Sequence, residues 1–223
     1  ISSGDEVVHP ADNPKPGQVR DINSYTLASL VEKAGGESVR YGVVADEMDA
    51  MKRTIARAIE RCDMVLITAG SSASARDMTA AAIDQLGEPG VLVHGVNTRP
   101  GKPTILGVCD GKAVIGLPGN PVSALVNGYV FVVPLVRRLL GQNAEVVQPS
   151  VSAKLTVNLN SQAGREDWIP IKLTKDGEKS YFAEPIFGKS NLIFTLVGAD
   201  GLLKIAPDAT GLSAGEIVDV ILI

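Results

Sequence analysis

The hydrophobic positions of the first half of the chain alternate between helical repeats and short apolar runs. In DINSYTLASLVEKAGG, apolar residues recur at helical spacing from Leu27 to Ala34, and Asp21 or Asn23 can cap the start of this helix. A second helical repeat contains Met51 and Ile55 and follows Asp46, which we expect to be its N-cap.

The apolar runs of this half predict buried strands. MVLIT, at residues 64–68, shows no alternation and is typical of a strand that is covered on both faces. A strand over 38–44 and the runs VLVHGV and AVIGL add further strands, and Asp77 can cap a third helix over residues 78–86. The order of strands and helices predicts an α/β domain over residues 1–144, with a doubly wound, mostly parallel sheet.

The remainder of the chain has a different pattern. After the polar linker GQNAEVVQPS, the helical repeats end and strand-like segments alternate with turn clusters such as KDGEKS. We therefore predict a small all-β domain over residues 145–223.

Composition excludes several classes of protein. The formal net charge of −4 and the 4% aromatic content disfavour nucleic-acid binding. Cys62 and Cys109 are isolated and predict reduced thiols in a cytoplasmic protein rather than a disulfide or zinc site. The most apolar segment, residues 122–136, is interrupted by polar residues and proline, so we expect a buried helix and no membrane span.

The stretch GLPGNPVSA joins a predicted strand to the long helix expected over residues 121–140. Pro118 and Gly119 form a turn, Asn120 is placed to be the N-cap and Pro121 suits the first helical position. The free N–H groups at this helix start, with the Ser123 hydroxyl, form a candidate anion site. The sequence alone is equally compatible with a structural turn.

A second turn, RPGKPT, brings two cations close together. Arg99 and Lys102 flank the Pro100–Gly101 pair, an arrangement suited to phosphate or another oxyanion. Taken alone, this turn is also compatible with solvated surface charges.

The loop after MVLIT is rich in small residues. Gly70, Ser71 and Ser72 offer backbone amides and hydroxyls and let a ligand approach closely, and Asp77 could cap a helix, hold a metal or assist proton transfer. Together with Asp5, which follows Gly4 in SSGDE, and Asp21, this carboxylate could hold Mg²⁺ beside ligand oxygens.

These motifs occur in the order found in a known family. The chain resembles the catalytic half of the molybdopterin molybdotransferases, the MoeA and gephyrin E-domain type. The resemblance covers essentially all 223 residues and rests on SSGDEVV, PGQVRDINSYTLASLVEKAGG, LITAGSSASARD, RPGKP, GLPGNPVSAL, AGREDWIPIKL, AEPIFGKS, LVGADGLLKI and GLSAGEIVDVILI.

The resemblance implies a three-layer molybdopterin-binding domain followed by a small β-barrel. It also implies insertion of molybdate into adenylylated molybdopterin with release of AMP, together with Mg²⁺, a homodimer and possible contact with the molybdopterin adenylyltransferase. Asp21, Asp77 and Lys102 become candidate catalytic residues, and the two aspartates candidate metal ligands. The candidate ligand-binding residues are Gly4, Asp5, Gly70, Ser71, Ser72, Arg99, Gly101, Pro118, Gly119, Asn120, Pro121 and Ser123.

The chain departs from the family pattern at three points. Ala75 replaces the first of two acidic residues in the loop, and Arg99 replaces the first lysine of the xPGKP motif, at the position before Pro100. The N-terminal domains of the family have no counterpart in this sequence, so we expect a fragment with little activity by itself. Ala75 motivates an alternative, a non-catalytic molybdopterin sensor or scaffold. The related adenylylating enzyme is disfavoured because it normally lacks the β-domain.

One geometric expectation underlies this interpretation. We expect the turns at Gly70, Lys102 and Asn120 to gather backbone amides and two cations into a single anion receptacle.

Overall fold

The computed structural model describes residues 1–69, 73–142, 148–177 and 180–223, without the side chains of residues 73–76. The chain forms two compact units. The first consists of Ile1–Val96 and Pro103–Ala144, and the second of Asn97–Lys102 and Glu145–Ile223. The short segment 97–102 therefore departs from the division expected from sequence, which places it in the first domain. The reason is backbone pairing between Thr98–Arg99 and Glu166–Asp167.

The first unit is built on a six-stranded sheet. In order across the sheet, the strands are Val43–Val44, Ser2–Ser3, Met64–Ala69, Lys112–Pro118, Ile105–Cys109 and Pro89–His94. The first four are mutually parallel, whereas Ile105–Cys109 is antiparallel to both of its neighbours. The strand predicted over 38–44 is present only at Val43–Val44, and a separate parallel pair joins Val7–Val8 to Val19–Arg20.

Helices cover both faces of this sheet, as the resemblance implies. The helices are Asn23–Lys33, Met48–Arg61, Ala73–Asp84 and the long helix Pro121–Leu139. Met51 and Ile55 of the second helix are fully buried among residues of the third helix and the sheet. Full burial of such a side chain contributes about 1.5–3 kcal/mol.

The long helix packs with the first helix on the opposite face. Leu30 and Val133 belong to this second core, and Gly128 meets Leu30 so closely that an added Cβ would lie 2.6 Å from its Cδ2. The helix has a π-helical segment at Gly128–Val132, which its sequence periodicity does not predict. Pro121–Leu139 has the length and apolar content of a membrane span, but half of it is buried inside the protein, as expected for a core helix.

The cysteines agree with their sequence-based interpretation as free thiols. Cys109 is fully buried, its Sγ lies 3.5 Å from the Ile83 carbonyl oxygen, and burial raises the pKa of its thiol. The Cys109 side chain therefore stays protonated at neutral pH and acts as a small core residue.

The second unit contains the predicted small barrel. Its strands, in order around the ring, are Ser180–Pro185, Ser150–Leu155, Ile217–Leu222, Gly201–Ile205 and Glu166–Asp176, and the last of these pairs with the first. Thr98–Arg99 adds a short strand to Glu166–Asp176. The remaining elements are the short helix Phe194–Val197 and the antiparallel pair Leu159–Asn160 and Gly211–Leu212.

A close backbone approach in the barrel generates a stability prediction. A Cβ on Gly201 would lie 2.5 Å from the Ile221 carbonyl oxygen and 2.6 Å from Val220 Cγ1, and the backbone oxygen cannot move without breaking strand pairing. Gly201→Ala is expected to lower the free energy of unfolding of the barrel by about 1–3 kcal/mol.

Urea unfolding followed by Trp168 fluorescence provides the measurement, because this is the only tryptophan and it lies in a barrel strand. Gly198→Ala is the matched control, since its added Cβ would meet only Ile186 Cδ1 at 3.7 Å. Equal stabilities of the two variants would contradict the prediction.

Candidate functional site

Three neighbouring parallel strands of the first unit end at one edge of the sheet. Ser2–Ser3 pairs with Met64–Ala69, which in turn pairs with Lys112–Pro118. Ligands of open α/β sheets bind outside the carboxyl ends of such strands. The segments that follow these three strands therefore define the candidate site.

Ser2 connects two of the strand ends to the start of the first helix. Its Oγ donates to Asp21 Oδ1 at 2.8 Å and lies 3.2 Å from Thr68 Oγ1 on the adjacent strand. All three residues are buried, so this contact is shielded from water.

The carboxylate of Asp21 caps the first helix. Oδ1 accepts a hydrogen bond from the Ser24 backbone N–H at 3.1 Å, and Oδ2 accepts one from Ser24 Oγ at 2.5 Å. The N-cap residue is Ile22, and Asp21, one residue earlier, supplies the capping hydrogen bonds from its side chain, whereas Asn23 does not. Asp21 is only 6% exposed. Its carboxylate oxygens are nevertheless satisfied, because together they accept three hydrogen bonds.

Asn23 has a different role from the capping role that the sequence left open. Its Nδ2 donates to the Gly119 carbonyl oxygen at 2.8 Å, across 96 residues of sequence. This bond ties the start of the first helix to the glycine turn that precedes the long helix. Asp21 and Gly119, two of the predicted site residues, are thereby joined to one hydrogen-bonded framework.

The turn after the strand Lys112–Pro118 has the predicted conformation. The long helix begins at Pro121 and Asn120 is its N-cap residue, which confirms the interpretation of GLPGNPVSA as a strand-to-helix turn. The Asn120 side chain makes no capping hydrogen bond, and the first intrahelical bond runs from Ala124 N to the Asn120 oxygen. The N–H groups of the first helical turn therefore remain available to an anion.

Pro118 and Ser123 are buried, whereas Gly119, Asn120 and Pro121 are half-buried. The five predicted residues of this turn thus lie together, with the exposed part at the helix start.

Two carboxylates follow neighbouring strands of the sheet. Asp5 follows Ser2–Ser3, and Asp46 follows Val43–Val44. Ser3 Oγ donates to Asp46 Oδ1 at 2.5 Å, and the Asp46 backbone N–H donates to Asp5 Oδ1 at 3.2 Å. The expected capping role of Asp46 is wrong, because the second helix begins at Met48 with Glu47 as its N-cap residue. Asp46 is a further candidate site residue that the sequence analysis does not predict, although its position two residues after the strand Val43–Val44 is a usable signal.

Gly4 lies between the strand Ser2–Ser3 and Asp5. It is buried and has φ +149°. A Cβ at this position would lie 2.7 Å from Glu6 Oε2 and 2.9 Å from Val7 Cγ2. The positive φ, with the close approach of the Val7 side chain, explains why glycine occupies the predicted site position.

Gly70, Ser71 and Ser72 lie outside the described residues, as does the side chain of Ala75. Asp77 is exposed and lies inside the third helix, Ala73–Asp84. Its expected capping role is therefore wrong, because the helix begins four residues earlier.

The predicted cations belong to the second unit. Arg99 Nη1 lies 3.5 Å from Oδ2 of Asp167, whose side chain is 3% exposed and which also accepts hydrogen bonds from Arg165 Nε at 2.7 Å and Nη2 at 3.2 Å. Lys102 is exposed, and Gly101 is buried with φ +105°. The convergence of Lys102, Gly70 and Asn120 on one receptacle therefore stays a prediction.

Metal-ligating side chains are sparse in this region. Within residues 1–69, 77–142, 148–177 and 180–223, no three His, Cys, Asp or Glu side chains are grouped as a metal centre. A divalent ion at this edge would need oxygen ligands from a bound substrate, which is the usual mode for Mg²⁺ with phosphates.

The fold and this edge define a class of protein. An α/β unit with an uncapped strand-to-helix turn at the carboxyl ends of its strands is suited to binding an anionic ligand. The chain belongs to the MoeA family: the profile described as "Probable molybdopterin binding domain" matches residues 1–138, and that described as "MoeA C-terminal region (domain IV)" matches residues 152–223.

Individual relatives agree with this assignment. A putative molybdopterin biosynthesis protein of Methanocaldococcus jannaschii is 33% identical over 232 residues, covering 100% of this chain and 54% of the relative. Molybdopterin molybdenumtransferase 1 of Mycobacterium tuberculosis is 32% identical, with 99% and 53% covered. A crystal structure of a Pyrococcus horikoshii molybdopterin biosynthesis MoeA protein superposes with a TM-score of 0.85 and 39% identity, over 99% of this chain and 52% of that one. The chain spans about half the length of these relatives.

The satisfied carboxylate of Asp21 generates a second stability prediction. Asp21→Ala would leave the buried Ser2 hydroxyl and the Ser24 N–H without their acceptor. We expect the free energy of unfolding of the first unit to fall by about 2 kcal/mol, measured by urea unfolding with far-UV circular dichroism.

Asp12→Ala supplies the control, because Asp12 is an exposed aspartate of the same unit. A loss in Asp21→Ala no larger than that of the control would show that the network contributes little.

Proposed function

We propose that the protein takes part in molybdenum cofactor biosynthesis, by inserting molybdate into adenylylated molybdopterin with release of AMP. The observation that carries this proposal is the uncapped turn at Pro118–Ser123, held by Asn23 at the edge where three strands end. The family membership of both units and the names of the relatives, molybdopterin molybdenumtransferases, support the choice of substrate.

In this proposal, the turn binds phosphate. The N–H groups at the start of the long helix, with the Ser123 hydroxyl, donate to phosphate oxygens of the adenylylated pterin. Gly4 and the loop residues Gly70, Ser71 and Ser72 let the ligand approach the backbone.

In this proposal, the two cations Arg99 and Lys102 bind a further anionic group. Arg99, Gly101 and Lys102 form the turn that receives molybdate or a phosphate oxygen, and the buried Asp167 restrains the Arg99 guanidinium. Because Arg99 is 64% exposed at its side chain, it retains N–H groups that can face a ligand.

The carboxylates would hold a magnesium ion together with oxygen atoms of the substrate. Asp21 and Asp77 are the ligands expected from the family resemblance, and Asp5 and Asp46 add carboxylates at the same sheet edge. Both oxygens of Asp21 already accept hydrogen bonds, so it retains only part of its four acceptor positions for a metal. Mg²⁺ would neutralise charge on the phosphoanhydride, while the protein groups hold and orient the reacting ligands.

Other parts of the proposal rest on the resemblance. These are the homodimer and the contact with the molybdopterin adenylyltransferase. A cytoplasmic location is supported by the two free cysteines.

Binding of adenylylated molybdopterin tests the proposal. Lys102→Ala is expected to weaken binding about tenfold, corresponding to about 1.4 kcal/mol for one charge-assisted contact, in equilibrium titrations at low salt. Lys175→Ala, another exposed lysine of the second unit, serves as the matched control and should bind like the unmodified chain. Equal affinities of the two variants would count against a ligand role for Lys102.

A second candidate function is a non-catalytic molybdopterin sensor or scaffold, which Ala75 favours because a methyl group cannot bind a metal or polarise a ligand. Molybdate-dependent AMP release separates the two functions. Release by the unmodified chain excludes the sensor, whereas tight binding without release, with activity gained in Ala75→Asp, favours it.

A further inference from the structure

We propose that Asn23 is a positioning residue that sets the direction of the Asn120 N–H group in the anion-binding turn. The inference deepens the proposed function, since it concerns how the turn Pro118–Ser123 is prepared for a phosphate group. Asn23 itself makes no contact with the ligand in this proposal.

Asn23 is hydrogen-bonded to the backbone of Gly119. Asn23 Nδ2 donates to the Gly119 carbonyl oxygen at 2.8 Å, and the Asn23 residue is 8% exposed. A well-shielded bond of normal length restrains the acceptor carbonyl more firmly than a solvent-exposed bond.

The planarity of the peptide bond relates the Gly119 carbonyl to the Asn120 N–H. The Gly119 carbonyl and the Asn120 N–H belong to one planar trans peptide unit, in which the C=O and N–H bonds point in opposite directions. With the carbonyl held toward Asn23, the Asn120 N–H points away from the first helix. No backbone acceptor for this N–H, or for those of Val122 and Ser123, occurs among the hydrogen bonds of the described residues.

The other polar side-chain atom of Asn23, Oδ1, reduces the stability that this residue contributes. Its Oδ1 is buried and has no hydrogen-bond partner among the described residues. The unpartnered acceptor offsets part of the stability that the Nδ2 bond to Gly119 contributes, so the net contribution of Asn23 to the stability of the fold is small. The useful contribution of Asn23 is therefore the restraint on the turn rather than stability.

The neighbouring structure keeps this donor in place. Asp21, two residues earlier, caps the helix through Ser24 and is itself held by Ser2. The first helical turn, and Asn23 with it, is therefore fixed to the sheet.

The test uses Asn23→Leu, which keeps the volume but removes the donor. Inorganic pyrophosphate is titrated into the ¹⁵N-labelled chain, and the amide shifts of Asn120, Val122 and Ser123 are followed. We expect pyrophosphate to shift these amides in the unmodified chain and to bind Asn23→Leu at least fivefold more weakly, with the urea unfolding midpoint preserved. Should Asn23→Leu fold poorly, Asn23→Ser replaces it, because the serine hydroxyl is too short to reach Gly119.

The matched control is Asn127→Leu. Asn127 is also fully buried with an unpartnered Oδ1 in the described structure, but its Nδ2 bonds to the Ser123 carbonyl within its own helix. This variant is expected to bind pyrophosphate within about twofold of the unmodified chain.

Three outcomes overturn the inference: unchanged affinity in the Asn23 variants, an equal loss in Asn127→Leu, or no shift of the turn amides in the unmodified chain at saturating pyrophosphate. A parallel titration with adenylylated molybdopterin separates the two proposals. If pyrophosphate binding depends on Asn23 but the pterin does not bind, the proposed function fails and the role of Asn23 stands.

Discussion

The hydrogen bonds of one buried carboxylate connect the segments that form the candidate ligand-binding edge of the first unit. A charged group in such a position is tolerated only when its oxygens are satisfied, and Asp21 meets this requirement with donors from two separate segments, Ser2 and Ser24. The first strand and the first helix are therefore held together by a group that neither could bury alone. The Asn23 bond extends this framework to the start of the long helix.

Much of the fold follows from local patterns in the sequence. The first helix and the long helix are marked by apolar repeats, and the start of the long helix is marked by the Asn120–Pro121 pair, whose preferences depend only on neighbouring backbone groups. The barrel is foreseeable because strand-like segments and turn clusters replace helical repeats after residue 150. Glycine and proline at the motif turns predict tight backbone geometry without reference to distant residues.

The parts that the sequence did not reveal depend on pairing between distant segments. Asn23 and Asp46 each sit where a helix cap is plausible, and only the three-dimensional arrangement shows that their side-chain partners are Gly119 and Ser3. The antiparallel strand Ile105–Cys109 is an exception, because the Asp110–Gly111 pair, with φ of +50° and +83°, is a recognisable hairpin signal. Its short apolar run offered too little periodicity to be interpreted by itself.

The membership of residues 97–102 in the second unit has a consequence for how the two units can be separated. The backbone passes from one unit to the other at 96–97, at 102–103 and again at 144–145, so a single cut in the linker leaves the segment 97–102 of the second unit attached to the first. A truncation after residue 144 would also deprive Thr98 and Arg99 of their strand partners in Glu166–Asp176, and Arg99 of its ion pair. The basic turn and the barrel therefore form one structural unit, which a domain boundary drawn at residues 144–145 would divide.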